Sequence, residues 1–193
     1  AAEGASVLTG EWQRHPFVRH RISRCFFGPT YRAPFFIDEL SNEVDYYPEE
    51  YLNKLAHEGV NGLWLTMYFH DLPSSIFPGR GAQAEKRFAK LRQTVQRCAR
   101  YGIRIYVFFS EPKLFGDASY AVPAKDAEGH PELIGGNHDG WGFFCTSTPA
   151  GRKYLEESVA TLFAAVPELG GMINIMYGED NGSWVAHQLG KHL

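Results

Sequence analysis

The sequence lacks the patterns that several large classes of protein require. Its only cysteines are Cys25, Cys98 and Cys145, an odd number at wide spacing, and no Cys-x-x-Cys pair occurs. This argues against a disulfide framework or a zinc knuckle, and we expect Cys25 and Cys98 to be buried thiols. No run of about 18 apolar residues predicts a membrane-spanning helix, and no signal peptide is visible. The compartment stays open, with a secreted or periplasmic location slightly favoured if a signal has been removed.

The sequence also lacks an excess of positive charge, and it lacks the common cofactor-binding motifs. The net charge of −3 over 193 residues implies no long-range attraction to nucleic acid or to an anionic membrane. No Gly-x-Gly-x-x-Gly or phosphate-loop signature follows a predicted strand, and no His-Glu-x-x-His or Gly-x-Ser-x-Gly pattern occurs. We therefore expect no nucleotide cofactor, no metal and no serine-type nucleophilic catalysis.

The sequence does contain a regular alternation of short apolar runs and helical patterns. Apolar runs typical of buried strands occupy 24–28, 62–69, 103–109 and 172–177. Helical spacing of apolar residues predicts helices that begin at Pro48, Glu85 and Thr148, the first two ending at Gly59 and Gly102. Strands that alternate with helices predict an α/β fold with a parallel sheet and right-handed crossovers.

Two architectures fit this alternation: a doubly wound open sheet and a (β/α) barrel. A complete barrel has eight strands and about 250 residues, whereas four strands in the order 1-2-3-4 are predicted here. The missing phosphate-binding glycines favour the barrel. We predict a lead-in segment over 1–21 and the first half of a (β/α)-barrel catalytic domain, a partial TIM barrel, over 22–193. Further strands, a second chain or another copy would complete it.

Polar residues follow each predicted strand, at the edge where both architectures bind their ligands. These residues are Tyr31, Arg32, Tyr68, His70, Asp71, Ser110, Glu111, Tyr177, Glu179, Asp180 and Asn181. Glycoside hydrolysis needs a carboxylic acid that protonates the leaving oxygen. If Glu179 lies in a partly apolar cleft lined by aromatic residues such as Tyr177, its pKa would be raised. A raised pKa suits a general acid. Asp180 would orient a substrate group or hold a neighbouring charge.

Other strand-end residues have both a functional and a structural interpretation. Glu111 is the second candidate carboxylate, or a salt-bridge partner of Arg32. Arg32 would grip sugar hydroxyls or a sugar carboxylate through its forked donors, or pair with Asp38 or Glu39. The Glu179–Asp180 pair would equally suit a helix cap or a solvent-facing position. Tyr31, Tyr68 and His70 complete the predicted substrate-binding set from the first two strand ends.

The predicted loop over 110–148 carries His138 and Trp141, which we assign to substrate binding. Trp141 would be a stacking platform for a sugar ring or, equally, a packed lid residue. His138 and Asp139 match no metal-binding spacing, so no metal site is predicted. Cys145 fits a strand or helix-entry position better than a thiol nucleophile.

Three phrases of the sequence carry a resemblance to a known family: YPEEYLNKLAHEGVNGLWL, RCARYGIRIYVFFSEP and ELGGMINIMYGED. Over about residues 22–182 the chain resembles the (β/α)8 glycoside hydrolases related to family 20, the β-hexosaminidase-like enzymes. The resemblance implies that Glu179 is the general acid and that Arg32 binds hydroxyls of the terminal sugar. The family has an Asp directly before the acid, whereas this chain has Gly178 there and Asp180 after it, so substrate-assisted attack is not implied.

The function predicted from the sequence is hydrolysis of a glycosidic bond by carboxylate general-acid catalysis. The resemblance implies glycans that contain N-acetylhexosamine, and a carbohydrate substrate is the expected partner. Two alternatives remain. One is a non-catalytic carbohydrate-binding or fragmentary barrel module, and the other is an open-sheet hydrolase or esterase of another class.

Overall fold

The computed structural model describes residues 16–24, 38–110, 114–115, 124–138 and 141–175. In chain order, its strands and α-helices are β1 (Ile22–Arg24), α1 (Glu49–His57), β2 (Gly62–Thr66), α2 (Ala84–Ala99), β3 (Arg104–Ser110), β4 (Leu114–Phe115), α3 (Ala124–Glu128), β5 (Ile134–His138), β6 (Trp141–Phe144), α4 (Pro149–Ala165) and β7 (Gly171–Ile175). Two short 3-10 helices, Phe69–Asp71 and Pro131–Leu133, lie between them.

A four-stranded parallel sheet forms the centre of the molecule, with the strands in the order β1-β2-β3-β7. Gly62 at the start of β2 pairs with Ile22 on one side and Arg104 on the other, and Ser110 at the end of β3 pairs with Ile175. Each connection between neighbouring strands contains an α-helix, as parallel pairing requires. The predicted α/β class and the parallel, sequential strand order are therefore confirmed.

The strand boundaries differ from the prediction at several ends. β1 begins at Ile22, two residues before the predicted start, and residues 25–28 lie outside the described residues. β2 ends at Thr66 instead of continuing to Phe69. The chain there turns into a 3-10 helix, because Asp71 accepts a hydrogen bond from the Tyr68 backbone nitrogen at 3.2 Å. A side chain that bonds the nearby backbone competes in this way with the strand ladder.

The helices follow the local signals in the sequence. Pro48 precedes α1, and Gly59, with φ of 80°, takes the left-handed conformation after its end. Gly102, with φ of 69°, does the same after α2. The predicted cap of the last helix is confirmed, since the Thr148 hydroxyl accepts a hydrogen bond from the Gly151 nitrogen at 3.0 Å.

One face of the sheet packs against the helices and forms the main core. Leu63, Leu65, Ile105, Val107 and Phe109 alternate along β2 and β3 on this face and are almost completely buried. They belong to one apolar cluster with buried residues of α1, α2 and α4, among them Leu52, Leu55, Phe88, Leu91, Val95, Cys98, Tyr154 and Leu162. Right-handed connections between strands in sequential order all cross the same face, which explains why the helices lie together.

The opposite face of the sheet is aromatic and only partly buried. Trp64 and Phe108 contact each other there, with ring centroids 4.5 Å apart, and the Arg24 guanidinium lies 5.3 Å from the Trp64 ring centroid. Tyr106 is buried on the same face but does not belong to the helix-side cluster. The sheet therefore has one helix-covered face and one face that presents large rings.

The segment between β3 and α4 was predicted as a loop, which is wrong in part. It contains α3 and a small antiparallel sheet in the order β4-β6-β5. The strand β5 has the sequence IGGNH, whose glycines hide the alternating pattern of a strand. Tertiary packing holds this sheet, because Leu133 and Phe144 are fully buried and the Phe144 ring lies 5.8 Å from the ring of Tyr154 in α4.

Glycines surround Tyr106 at the amino end of the sheet. A Cβ at Gly62 would lie 2.9 Å from both Ile22 Cγ1 and Tyr106 Cε2, and a Cβ at Gly170 would lie 2.9 Å from the same ring. These distances are shorter than ordinary packing contacts, so the ring occupies space that only glycine leaves open. By contrast, a Cβ at Gly79 would meet no atom within 4 Å.

We predict that Gly62→Ala lowers the free energy of unfolding by about 1–3 kcal/mol, because the added methyl overpacks the Tyr106 ring. The matched control Gly79→Ala should be neutral or slightly stabilising, since it only reduces the entropy of the unfolded chain. If the Tyr106 ring is the obstacle, Gly62→Ala should cost less stability when it is introduced into the Tyr106→Leu variant than when it is introduced into the unsubstituted protein. Urea denaturation measures all four variants, and equal stability of the two alanine variants would contradict the packing explanation.

Candidate functional site

Three of the described polar residues at the carboxyl edge of the sheet lie directly after β2: Tyr68, His70 and Asp71. Tyr68 and His70 were predicted as substrate-binding residues, and their rings stack in parallel with centroids 5.2 Å apart. Asp71 ends the 3-10 helix next to them, and its Oδ1 lies 3.9 Å from His70 Nε2. The structure thus brings these three residues together at one strand end, with the side chains of His70 and Asp71 only partly accessible.

Arg87 of α2 links two of the loops that leave this edge. Its Nη1 lies 2.5 Å from Asp38 Oδ2, in the segment after β1, and its Nη2 lies 3.3 Å from Asp71 Oδ1 after β2. The three side chains are only 16%, 15% and 12% exposed, respectively. Ion pairs this sheltered from water are weakly screened by salt, so Arg87 fixes the relative position of the two loops. No sequence pattern predicts this role, because Arg87 lies within an ordinary helical pattern.

Burial shifts the pKa values of Asp71 and His70, in opposite directions. Loss of solvent raises the pKa of the Asp71 carboxyl, although the positive charge of Arg87 acts in the opposite direction. Loss of solvent also lowers the pKa of His70 from its usual 6.5, and the charges of Arg80 and Arg87 lower it further. His70 therefore presents a neutral imidazole at neutral pH, which can both donate and accept a hydrogen bond.

Thr66 is a polar residue at this edge that the sequence did not single out. It ends β2 on the aromatic face and pairs with Phe108. Its Oγ1 is buried, and no hydrogen-bond partner for it is found in the part of the chain that the structure describes. A buried hydroxyl of this kind suits a ligand or water contact. It was missed because it lies inside an apolar run that we assigned entirely to the strand.

The predicted catalytic residues Glu179, Asp180 and Glu111 lie outside the described residues, as do Tyr31, Arg32 and Tyr177. The strands that precede the carboxylates are described, and they are neighbours. β3 ends at Ser110, directly before Glu111 in sequence, and Ser110 pairs with Ile175 at the end of β7. The backbones of His138 and Trp141 pair with each other across β5 and β6, which puts both residues on the small sheet.

A cavity of about 280 Å³ lies between the segment after β2 and the segment that contains α3. Its walls are formed by Ile76, Phe77, Pro78, Gly79, Arg80, Lys125, Asp126, Gly129 and His130. Arg80 Nε donates a hydrogen bond to Asp126 Oδ2 at 2.7 Å, which joins the two segments across the cavity wall. None of these residues was a candidate from the sequence.

The described residues give no support to metal or thiol chemistry. They contain no group of three or more His, Cys, Asp or Glu side chains arranged to hold a metal ion. Cys98 and Cys145 are free and buried, and burial raises the pKa of the Cys98 thiol to about 12. A thiol in that state is unreactive at neutral pH. Over the same residues, every helix is too short or too polar to span a bilayer.

Comparison with known proteins adds no family assignment: no protein-family model matches the chain, and neither a curated protein nor a solved structure gives a significant match. The resemblance to β-hexosaminidase-like enzymes consequently stays a prediction from the sequence.

We predict that Asp71→Asn lowers the pKa of His70 further, because the Asp71 carboxylate is the largest charge that favours protonated His70. The imidazole proton signals of His70, assigned by their loss in His70→Gln, report this value in an NMR pH titration. Glu132→Gln is the control, since Glu132 contacts His130 and not His70. An unchanged or higher pKa of His70 in Asp71→Asn would contradict the described contact.

We further predict that Arg87→Leu lowers the free energy of unfolding by about 3 kcal/mol at neutral pH, because two sheltered carboxylates lose their partner. Arg100→Leu, which removes an exposed ion pair to Glu49, should cost less than about 1 kcal/mol. The difference between the two variants should shrink near pH 3, because the raised pKa of the Asp71 carboxyl leaves it protonated there and no longer a charged partner of Arg87. Chemical denaturation at both pH values measures this, and equal losses at neutral pH would contradict it.

Proposed function

We propose that this chain forms the first half of a (β/α)-barrel glycoside hydrolase, whose carboxylates act at the carboxyl edge of the parallel sheet. The observation that carries the proposal is the sequential order β1-β2-β3-β7 with parallel pairing throughout. This order directs the segments after all four strands to one edge. Under the proposal, the polar residues predicted from the sequence would act together at that edge.

The sequential order favours a barrel over a doubly wound sheet. In a doubly wound sheet the strand order reverses, and the helices cover both faces. Here the buried residues of β2 and β3 in the helix-side cluster all belong to one face, and the partly buried Trp64 and Phe108 lie on the other. In a barrel that second face is the interior, which bulky side chains fill in layers. A partly buried aromatic face is consistent with such an interior.

The outer strands of the sheet also fit an incomplete barrel. Within the described residues, β1 pairs only with β2, and β7 pairs only with β3. Unpaired strand edges attract further strands, and closure into a barrel removes them. Additional strands from the same protein, a second chain or another copy would satisfy these edges and cover the aromatic face.

The chemistry proposed for the edge uses two carboxylates after neighbouring strands. Glu111 follows β3 directly, and Glu179 follows the last described residue of β7 by four positions. Adjacent strands are about 4.8 Å apart. Two carboxylates carried at their ends are suited to the separations of about 5–9.5 Å that glycosidases use. In this scheme Glu179 protonates the leaving oxygen, and Glu111 acts as nucleophile or as base for a water molecule.

The described residues would contribute substrate contacts to this site. His70 is held neutral by burial and stacks on Tyr68, so its imidazole offers a donor and an acceptor to sugar hydroxyls. Arg87 holds the segments after β1 and β2 in a fixed relation. Preorganised groups of this kind bind substrate without the entropic cost of ordering loops. Arg32, Tyr31, Tyr177, Asp180, His138 and Trp141 remain the further proposed contacts.

Replacement of Glu179 by Gln tests the proposal. We expect turnover of an activated aryl glycoside, with aryl N-acetylhexosaminides and aryl hexosides as the panel, to fall about 10²- to 10⁴-fold with unchanged thermal stability. Glu168→Gln, on the exposed turn before β7, is the matched control and should keep full activity. Unchanged turnover in Glu179→Gln would remove this residue from the mechanism.

A second arm of the experiment assigns the role of Glu111. If Glu111 is the nucleophile, Glu111→Ala should lose hydrolysis and should form a glycosyl azide when azide is added, since azide fits the space of the missing carboxylate. If the unsubstituted protein binds glycans from the panel but cleaves none, the hydrolase proposal fails. The chain is then a non-catalytic carbohydrate-binding module.

A further inference from the structure

The cavity between the segment after β2 and α3 has the features of a ligand site that the proposed catalytic edge does not use. Its volume of about 280 Å³ lies near the lower end of ligand pockets, which run from about 300 to 1,000 Å³. It is therefore suited to one sugar ring or a small organic acid and not to an extended chain. Both segments that form it follow strands of the parallel sheet at their carboxyl ends.

Arg80 provides most of the hydrogen-bonding capacity of the cavity. Its Nε donates to Asp126 Oδ2, and its Nη2 lies 2.6 Å from the same oxygen without the alignment of a hydrogen bond. In the part of the chain that the structure describes, only one of the five guanidinium N–H donors has an aligned acceptor. The side chain is 19% exposed, so water compensates only part of this deficit.

Lys125 shifts the balance of charge among the side chains that line the cavity toward positive. Arg80 neutralises Asp126, and Lys125 has no hydrogen bond or ion pair in the described part of the chain, so the lysine, arginine and aspartate that line the cavity leave one positive charge in excess. His130 Nδ1 contacts Glu132 Oε1 at 2.9 Å, which leaves Nε2 of the ring available. The polar side of the cavity is therefore complementary to an anionic group.

The other side of the cavity is apolar and rigid. Phe77 is buried, and its ring meets the His130 ring edge-on with centroids 5.6 Å apart and the Tyr154 ring edge-on at 4.9 Å. Ile76 and Pro78 extend this wall. An apolar wall opposite charged donors suits a ligand with a C–H face and a polar rim, as a pyranose ring has.

We propose that this cavity is a subsite for a monosaccharide unit that carries one anionic group, either the carboxylate of a uronic acid or a sulfate ester. Arg80 and Lys125 bind the anionic group, and the ring packs beside Phe77. The inference deepens the proposed function by naming acidic glycans as its substrates, and it rests on that function for the link to hydrolysis. Binding to the cavity is measurable without any cleavage.

Ligand titrations followed by the backbone amide signals of Gly79 and Gly129 test the subsite. The probes are methyl glucuronide, methyl glucoside, glucose 6-sulfate, and free sulfate or acetate. We expect methyl glucuronide or glucose 6-sulfate to bind at least tenfold more tightly than methyl glucoside, with weaker binding at higher salt. Tighter binding of one of the two acidic sugars identifies the source of the anionic group.

Variants of the cavity separate a specific subsite from general attraction of anions. Lys125→Gln should weaken binding of the acidic sugar about three- to fivefold, because the lost charge is exposed, and should leave methyl glucoside unaffected. Lys54→Gln, which removes another exposed lysine, on α1, is the control and should change neither affinity. Arg80→Lys keeps the charge but loses the forked donors, and we expect a larger loss than in Lys125→Gln.

Three results would overturn the subsite. These results are binding of methyl glucoside as tightly as the acidic sugars, binding of free sulfate or acetate as tightly as both sugars, and an affinity for the acidic sugar in Lys125→Gln equal to that in Lys54→Gln. If acidic sugars bind as expected while no glycoside is cleaved, the proposed hydrolase function fails and the subsite stands. If neutral glycosides are cleaved and acidic sugars do not bind, the subsite fails and the hydrolase proposal stands.

Discussion

The handedness of the strand connections constrains everything else in this molecule. A right-twisted parallel strand and its helix pack back onto the sheet with one handedness, so connections between strands in sequential order all cross the same face. The buried alternation Leu63, Leu65, Ile105, Val107 follows from this, because only that face meets helices. The segments after the strands then emerge together at one edge. In α/β folds of this kind, ligands bind at that edge.

Electrostatics then organises the edge. Arg87 reaches from α2 to Asp38 and Asp71, which belong to segments more than thirty residues apart in sequence. The surrounding burial opposes ionisation of both His70 and Asp71, so their pKa values move in opposite directions around one fixed guanidinium. A neutral imidazole and a carboxyl of raised pKa beside a sheltered guanidinium are typical of a site that binds polar groups. The same ion pairs also hold the segments after β1 and β2 in a fixed relative position.

Sequence reasoning predicted the parts of the fold that local chemistry determines. Pro48, Thr148, Gly59 and Gly102 mark helix ends because capping and left-handed backbone are short-range effects. The same reasoning predicted the parallel sheet from its apolar runs. It did not predict the small antiparallel sheet, the Arg87 ion pairs or the cavity at Arg80 and Asp126. Those features depend on contacts between residues far apart in the chain, which no local pattern encodes. Of the predicted site, Tyr68 and His70 are brought together as neighbours, and the catalytic carboxylates remain predictions.

The ring of Tyr154 connects the small antiparallel sheet to the body of the protein. It contacts the rings of Phe69, Phe77 and Phe144. Next to Phe144, the backbone N–H of Cys145 donates a hydrogen bond to the Leu133 carbonyl at 2.7 Å. A hairpin anchored through a shared aromatic core cannot swing open without exposing that core to water. The base of this hairpin is thus a fixed wall and not a gate. Within the described residues, any ligand of this region would therefore meet the same rigid wall before and after it binds.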